Sequence, residues 1–224
     1  VVRFWDRLTH PAQVLSALPQ ALGTLLDPAD CGPAFLGLPQ DVAAEAYDYP
    51  LAFFDRQVHE IARPRPDRGH VRRAAEVIRG AERPLVIAGG GVHYSRAEAE
   101  LAAFAEELGL PVVETVAGKS SLLAQHPRYA GPLGVTGAMT ANTLAAEADV
   151  VIAVGSRLND FVTASWTLFA PDAQLVAVNV GRFDAAKHRA VPVVADAREA
   201  IGELLQALSG WTAPPSWTAR GRRQ

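Results

Sequence analysis

The sequence contains almost no cysteine, no excess of charge of either sign and no long hydrophobic run. The single cysteine, Cys31, excludes an internal disulfide and a cysteine metal cluster, and it favours a reducing cytoplasm. The net charge of −3 gives no electrostatic reason to expect nucleic acid or an anionic membrane as a partner. No apolar run approaches the ~20 residues that a membrane-spanning helix needs. These absences predict a cytoplasmic protein that binds neither nucleic acid nor a membrane.

The first fifty residues are predicted to form only part of a domain. Helical periodicity follows Pro11, and a short apolar strand lies between Pro33 and Pro39. One helix and one strand cannot bury an independent core, so we expect an exposed apolar face here. Residues 1–50 are therefore interpreted as the incomplete end of an α/β domain. Because Val1 opens the chain without a methionine or a signal-peptide pattern, we expect a segment of a longer protein.

The remaining chain is predicted to contain a linker, one complete domain and a tail. Proline, arginine and aspartate crowd residues 51–66, which we interpret as the linker. Asp67 is a suitable N-cap for a helix over residues 70–79, and it opens a domain that we place at 67–210. Residues 211–224 contain two prolines and three arginines, and we interpret them as a linker or a disordered tail.

The stretch from 84 to 116 predicts a β-α-β unit. Residues 84–88 and 111–116 are apolar strands, and three glycines follow the first of them. We expect Ser95 to open the connecting helix and Gly109 to close it. Strands that are apolar on both faces belong to a parallel sheet covered by helices on both sides. Further strands are predicted at 150–154, 174–180 and 191–194, with helices at 140–148 and after Asp196. The fold class is thus α/β, a doubly wound parallel sheet of about five or six strands.

Candidate ligand-facing residues lie at the expected carboxyl ends of the strands, where open α/β sheets bind ligands. They are Gly89, Gly90, Gly91, Gly134, Gly137, Arg157, Asn159 and Asp160. The glycine turn matches two glycines of the G-x-G-x-x-G dinucleotide motif, but Tyr94 stands at the third position. Glu114 lies where that motif places a ribose-binding carboxylate. Two interpretations of the glycine turn stay open, a turn that binds a cofactor and a purely structural turn.

No catalytic residue and no metal ligand is predicted. The six histidines show no metal-binding spacing, and Ser156 lacks the G-x-S-x-G context of a nucleophile. Gly118 and Lys119 resemble the end of a P-loop, but Val113 stands where that motif needs its first glycine.

Several segments together resemble the central domain of the thiamine-diphosphate-dependent enzymes, the family of acetohydroxyacid synthase and pyruvate oxidase. These segments are residues 84–92, 110–115, 118–119, 126–131 and 148–157. Residues 32–42 resemble the closing strand and turn of the family's pyrimidine-binding domain. The resemblance covers nearly the whole chain. It implies a homo-oligomeric parent enzyme that uses thiamine diphosphate and Mg²⁺.

The resemblance also implies what this segment lacks. The family's catalytic glutamate lies in the pyrimidine-binding domain, expected before Val1, and its GDG…N motif for magnesium and diphosphate is expected after Gln224. The family's central domain mostly spaces those two domains, and in some members it holds the adenine end of a flavin. We therefore expect the segment alone to be inactive and to hold no cofactor, with the parent's remaining domains as its partners.

A narrower resemblance concerns residues 4–7, 38–50 and 160–166. They resemble the branch of the family that hydrolyses a carbon–carbon bond of a cyclic dione in myo-inositol breakdown. Three alternatives stay open. They are an acetolactate synthase-like enzyme, an autonomous module that binds FAD, NAD or ADP at the glycine turn, and a structural domain that dimerises.

Overall fold

The computed structural model describes residues 1–222, and the chain divides into two compact units, Val1–Ala62 and Arg63–Gln224. The first unit contains strand β1 (Phe4–Arg7), helix α1 (Val14–Leu26), strand β2 (Ala34–Gly37) and the short helix α2 (Gln40–Ala43), with 3₁₀ turns at Pro11–Gln13 and Leu51–Phe54. Strands β1 and β2 are parallel, with Phe4 opposite Ala34 and Arg7 opposite Gly37. The helix and the second strand lie where the sequence predicts them, whereas β1 was not predicted.

One face of this two-stranded sheet stays uncovered within the first unit. Helix α1 packs against both strands and buries Ala17 and Ala21. On the other face Trp5 is 62% exposed and Phe35 is 49% exposed, and their rings stack with centroids 6.4 Å apart. Parallel sheets are normally covered on both faces. The expectation of an exposed apolar face is confirmed.

The second unit is a doubly wound α/β domain. Its helices are α3 (Arg68–Arg79), α4 (Gly90–Ser95), α5 (Glu98–Leu108), α6 (Met139–Glu147), α7 (Asp160–Thr163), α8 (Arg182–Ala186), α9 (Ala197–Ala207) and α10 (Pro215–Arg222). Its strands are β3 (Pro84–Ala88), β4 (Val112–Glu114), β5 (Tyr129–Pro132), β6 (Val150–Val154), β7 (Gln174–Asn179) and β8 (Val191–Val194). They form one parallel sheet in the order β5-β4-β3-β6-β7-β8, which confirms the predicted fold class.

The apolar strands are explained by a core on each face of this sheet. Val86 and Ile152 face one core, which the helices α3, α5 and α9 complete. Leu85, Ile87 and Val151 alternate with them and face the other core, which includes buried residues of α6. Because both faces are buried, a central strand has no position for a polar residue. Among residues 1–222, no helix is long and apolar enough to cross a bilayer.

Asp67 and Asp196 cap helices as predicted, but Ser95 does not open a helix. The chain turns helical directly after Gly89, and α4 ends at Ser95 where Arg96 adopts a left-handed conformation (φ 52°). Ser95 is 5% exposed, and its Oγ donates to Asp196 Oδ2 at 2.9 Å and accepts from Ala197 N at 3.1 Å. The expectation was wrong because this hydroxyl caps the distant helix α9 instead of α5.

Arg63 completes the same polar network. Its Nη1 donates to Asp196 Oδ2 at 3.0 Å and to the Ser95 carbonyl at 2.7 Å. Asp196 itself is 8% exposed, so its carboxylate needs these donors. The network fixes the first residue of the second unit to the beginning of α9 and the end of α4.

The tail contains a packed helix, which corrects the expectation of a linker or a disordered segment over 211–224. Trp217 in α10 is 5% exposed, and its Nε1 donates to the Pro84 carbonyl at 2.7 Å. Thr218 Oγ1 donates to the Gly109 carbonyl at 2.7 Å, and Arg220 pairs with Glu147 at 2.7 Å. The prolines therefore introduce a helix, where their missing N–H costs nothing. Residues 223 and 224 lie outside the described residues.

We expect Trp217→Ala to lower the free energy of unfolding by about 3–5 kcal/mol, because it empties a buried indole site and leaves the Pro84 carbonyl unpaired. Urea unfolding followed by circular dichroism measures this change. Trp5→Ala is the matched control, since Trp5 is mostly exposed. Equal effects of the two substitutions would show that α10 does not pack as described.

Candidate functional site

The candidate site lies where the carboxyl ends of β3 and β6 meet. From β3 the chain proceeds to β4 on one side, and it later returns to β6 on the other side. This is the topological switch point, at which open α/β sheets form a ligand-binding crevice. The loops after β3, β4, β6 and β7 reach the same edge.

The glycine turn after β3 is in backbone contact with the turn after β6. Gly89 N donates to the Val154 carbonyl at 2.8 Å, and Gly91 N donates to the Gly155 carbonyl at 2.9 Å. A Cβ atom on Gly91 would lie 2.5 Å from Gly155 Cα, and one on Gly89 would overlap the Gly155 carbonyl. Gly90 is also tight, since its Cβ would lie 3.2 Å from Ala117 Cβ. Packing thus accounts for all three glycines.

Because of this contact, few backbone N–H groups of the turn are free to bind a phosphate. A phosphate-binding turn needs N–H groups that point at the ligand and glycines that let the ligand approach. Here the N–H groups of Gly89 and Gly91 already have carbonyl partners, and the space beside them holds the backbone at Gly155.

Gly134 packs against α7, the helix that follows Asn159, and Gly137 packs against Gly134, at a second place on the edge. Gly134 has φ +110°, and a Cβ atom there would overlap the Phe161 carbonyl. Asn142 Oδ1 accepts from Gly134 N at 3.0 Å, and the amide of Gly137 donates to the Gly134 carbonyl at 2.8 Å. Asn159 Oδ1 accepts from Val162 N at 3.2 Å and so caps α7. These predicted site residues are likewise placed in structural contacts.

Arg157 and Asp160 are predicted site residues with charged side chains, and both are exposed at this edge. They lie close in sequence to Leu158, which adopts φ 46°. An exposed guanidinium beside the switch point can bind an anionic group of a ligand or of a neighbouring domain.

Glu114 does not take the role of a ribose ligand. It is 3% exposed, and its Oε2 accepts from Ser120 N at 3.0 Å while Oε1 accepts from Leu122 N at 2.8 Å. Both carboxylate oxygens therefore hold the loop after β4. The dinucleotide motif lacks its third glycine and also a free acidic residue.

A cluster around His93 was missed by the sequence reading. His93 Nδ1 lies 2.7 Å from Glu98 Oε1, and Nε2 lies 2.9 Å from the Lys119 carbonyl. The hydrogen bond to Glu98 raises the pKa of His93 above its ordinary value. The spacing of five residues gave no signal because it spans the break between α4 and α5 at Arg96.

The same cluster has the residue types of a serine-hydrolase triad but not its arrangement. Ser121 Oγ lies 3.5 Å from His93 Nε2, yet it donates to the Gly118 carbonyl at 2.7 Å. Ser121 is also 2% exposed. A nucleophile must be deprotonated by its histidine and must reach the substrate. Ser121 is placed for neither.

Large apolar side chains surround the edge, and we call them the apolar rim. Each of the strands β3 to β7 is followed by at least one of them, and all are mostly exposed. The rim consists of Tyr94, Val116, Val135, Met139, Phe161 and Phe183.

Comparisons with known proteins agree with the fold. A family model described as "Thiamine pyrophosphate enzyme, central domain" matches residues 71–206. The benzoylformate decarboxylase of Polynucleobacter necessarius superposes with a TM-score of 0.74 over 92% of this chain and 38% of that chain. Its sequence identity is 23%, so this likeness concerns the fold alone.

The chain is also similar to curated proteins named 3D-(3,5/4)-trihydroxycyclohexane-1,2-dione hydrolase. The protein of Geobacillus thermodenitrificans is 44% identical over 211 residues, which cover 94% of this chain and 33% of that protein. The protein of Halalkalibacterium halodurans is 43% identical over 212 residues, with the same two coverages. The chain thus spans about a third of the length of these relatives.

The resemblance noted from the sequence is confirmed. Because the family model matches more than half of the residues, this chain belongs to the thiamine pyrophosphate enzymes, and its matched part is their central domain.

Proposed function

We propose that this chain is the central, spacing domain of a trihydroxycyclohexanedione hydrolase, which is the enzyme named for its relatives. The observation that carries the proposal is the match itself. Relatives at 43–44% identity align with 91–97% of this chain but contribute only about a third of their own length. An acetolactate synthase-like parent is the second candidate, and the shared central-domain fold supports it equally. The name of the relatives favours the hydrolase.

The parent reaction would be the hydrolysis of a carbon–carbon bond in a cyclic dione, within myo-inositol breakdown. Thiamine diphosphate would supply the carbanion chemistry of this family. The described residues do not provide a binding site for that cofactor together with a magnesium ion. Over residues 1–222, no group of three His, Cys, Asp or Glu side chains is arranged to hold a metal ion. At the candidate edge the buried carboxylate, Glu114, already accepts two backbone hydrogen bonds. We therefore assign no reaction step to this chain.

The role of the domain is architectural in this proposal. The apolar rim and the open face of the β1–β2 sheet expose apolar side chains to water, which is unfavourable. The remaining domains of the parent would bury them. A homo-oligomeric parent in the cytoplasm, with Mg²⁺ as its metal, completes the proposal. The candidate residues Arg157 and Asp160 then serve as polar contacts at a domain boundary.

A nucleotide-binding module is the alternative from another class. Its support is the switch-point position of the glycine turn and the exposed Arg157. The contact between Gly91 and Gly155 and the occupied Glu114 carboxylate weigh against it.

We expect no saturable binding of thiamine diphosphate with Mg²⁺ by the isolated chain, because it lacks a metal-binding donor set within its described residues. Isothermal titration calorimetry makes the measurement. The complete Geobacillus relative is the positive control. Saturable heat with a micromolar dissociation constant would overturn the architectural role.

The matching third of the Geobacillus hydrolase can be replaced by this chain. We expect the chimera to keep kcat/KM for its dione within about tenfold, which corresponds to ~1.4 kcal/mol of barrier. Steady-state assays of carbon–carbon cleavage measure this ratio. The same chain inserted into an acetolactate synthase is the control. A chimera that works only in the synthase would favour the second parent.

We expect Gly91→Ala to lower the free energy of unfolding by about 1–3 kcal/mol, because the new Cβ would lie 2.5 Å from Gly155 Cα. Gly202→Ala is the matched control. Its Cβ would meet nothing within 4 Å, and it lies inside α9, so it should stabilise by ~0.5–1 kcal/mol. Urea unfolding measures both.

The same two variants discriminate the nucleotide hypothesis. Thermal-shift assays with FAD, NAD and ADP should leave the melting temperature of the unaltered chain unchanged. A nucleotide that raises the melting temperature, and loses this effect in Gly91→Ala but not in Gly202→Ala, would favour the nucleotide-binding module.

A further inference from the structure

His93 joins three elements that meet at the carboxyl edge of the sheet. The residue itself belongs to α4, Glu98 belongs to α5, and Lys119 belongs to the loop after β4. Its ring nitrogens lie 2.7 Å from a carboxylate oxygen and 2.9 Å from a carbonyl oxygen. Both partners are acceptors. Only the imidazolium, with a proton on each nitrogen, can donate to both.

Hydrogen bonds within the loop and from neighbouring residues hold residues 116–122 in place. The Glu114 carboxylate accepts from Ser120 N and Leu122 N, and His93 holds the Lys119 carbonyl. Ser120 adopts φ 71°, a left-handed conformation that costs a non-glycine residue free energy. The side chain of Lys119 is exposed at the edge. Loss of the His93 contact would therefore remove one of the hydrogen bonds that hold a strained turn.

The charges that face His93 favour its cationic form. Glu98 contacts it from α5, and Glu114 at the end of β4 also attracts the imidazolium. Lys119 presents its carbonyl oxygen to the ring. Partial burial works to raise the pKa of Glu98, but the hydrogen bond from His93 and the charges of His93 and Arg96 lower it overall. Glu98 therefore stays ionised while His93 titrates.

We propose that His93 is a proton-dependent clasp that orders the 116–122 loop when the imidazole is protonated and releases the Lys119 carbonyl when it is neutral. A neutral ring donates from one nitrogen only. The charge-assisted bond to Glu98 is the stronger of the two, so the proton stays on Nδ1. Nε2 then turns a lone pair toward the Lys119 carbonyl, and that contact becomes repulsive.

The sign of the pH dependence follows from the direction of the shift. The pKa of His93 is raised in the folded chain by its hydrogen bond to Glu98. The stabilisation is therefore complete below about 6.5, the ordinary histidine value, and it is lost as the pH rises through the higher folded value. The loop is ordered on the acidic side of this window and loosens on the basic side.

Hydrogen exchange of the backbone amides in 116–122, measured at several pH values and corrected for the intrinsic rate, tests the clasp. We expect protection to fall about fivefold from pH 6 to pH 8.5, the population change that one net hydrogen bond gives. His93→Lys keeps a permanent cation and should abolish this pH dependence. His93→Gln should show low protection throughout. Exposed His59 gives the matched control, since His59→Gln should retain the wild-type profile.

A second measurement needs no variant and so is independent of folding defects. Nitrogen-15 shifts of the His93 ring report which nitrogens carry protons. We expect both to be protonated at pH 6, with Nε2 losing its proton first as the pH rises. Protection that does not change with pH in the unaltered chain, or a ring that is neutral at pH 6, would overturn the proposal.

Discussion

The backbone contact between the glycine turn after β3 and the turn at Gly155 organises the carboxyl edge of the second unit. Two adjacent parallel strands can end in turns this close only if no side chain lies between them, and Gly89, Gly91 and Gly155 satisfy that requirement. Gly155 N also donates to the Val178 carbonyl, so the contact extends to β7. At the position where related α/β sheets bind a ligand, the glycines are therefore explained by the packing of the two turns against each other.

Polar residues around this contact hold the loops in place. Glu114 holds the two amides of the loop after β4, Asn159 caps α7, and Asn142 holds Gly134. In each case a side-chain oxygen accepts a hydrogen bond from a backbone amide of the chain. Only His93 among these edge residues has a hydrogen-bonding pattern that changes when it gains or loses a proton near neutral pH. His93 is thus the residue of this group through which a change of pH can act on the loop.

The sequence predicted the central strands well because burial on both faces leaves a continuous apolar run, as in residues 150–154. Helix ends were predicted where a local side chain caps them, as at Asp67. The misses share another cause. Ser95 bonds to residues about a hundred positions away, and Trp217 bonds to Pro84 across the fold. Local spacing carries no signal for such contacts, and the same applies to the His93 cluster, whose third partner lies 26 residues away.

The two units differ in how completely they bury their apolar residues. The second unit covers both faces of its sheet, and α10 adds a buried tryptophan to one of its cores. The first unit has two parallel strands with one helix, and it leaves the stacked Trp5 and Phe35 in water. A two-stranded parallel sheet gains too little burial to offset the entropy of ordering its chain. Burial of its open face against another surface would therefore add to its stability.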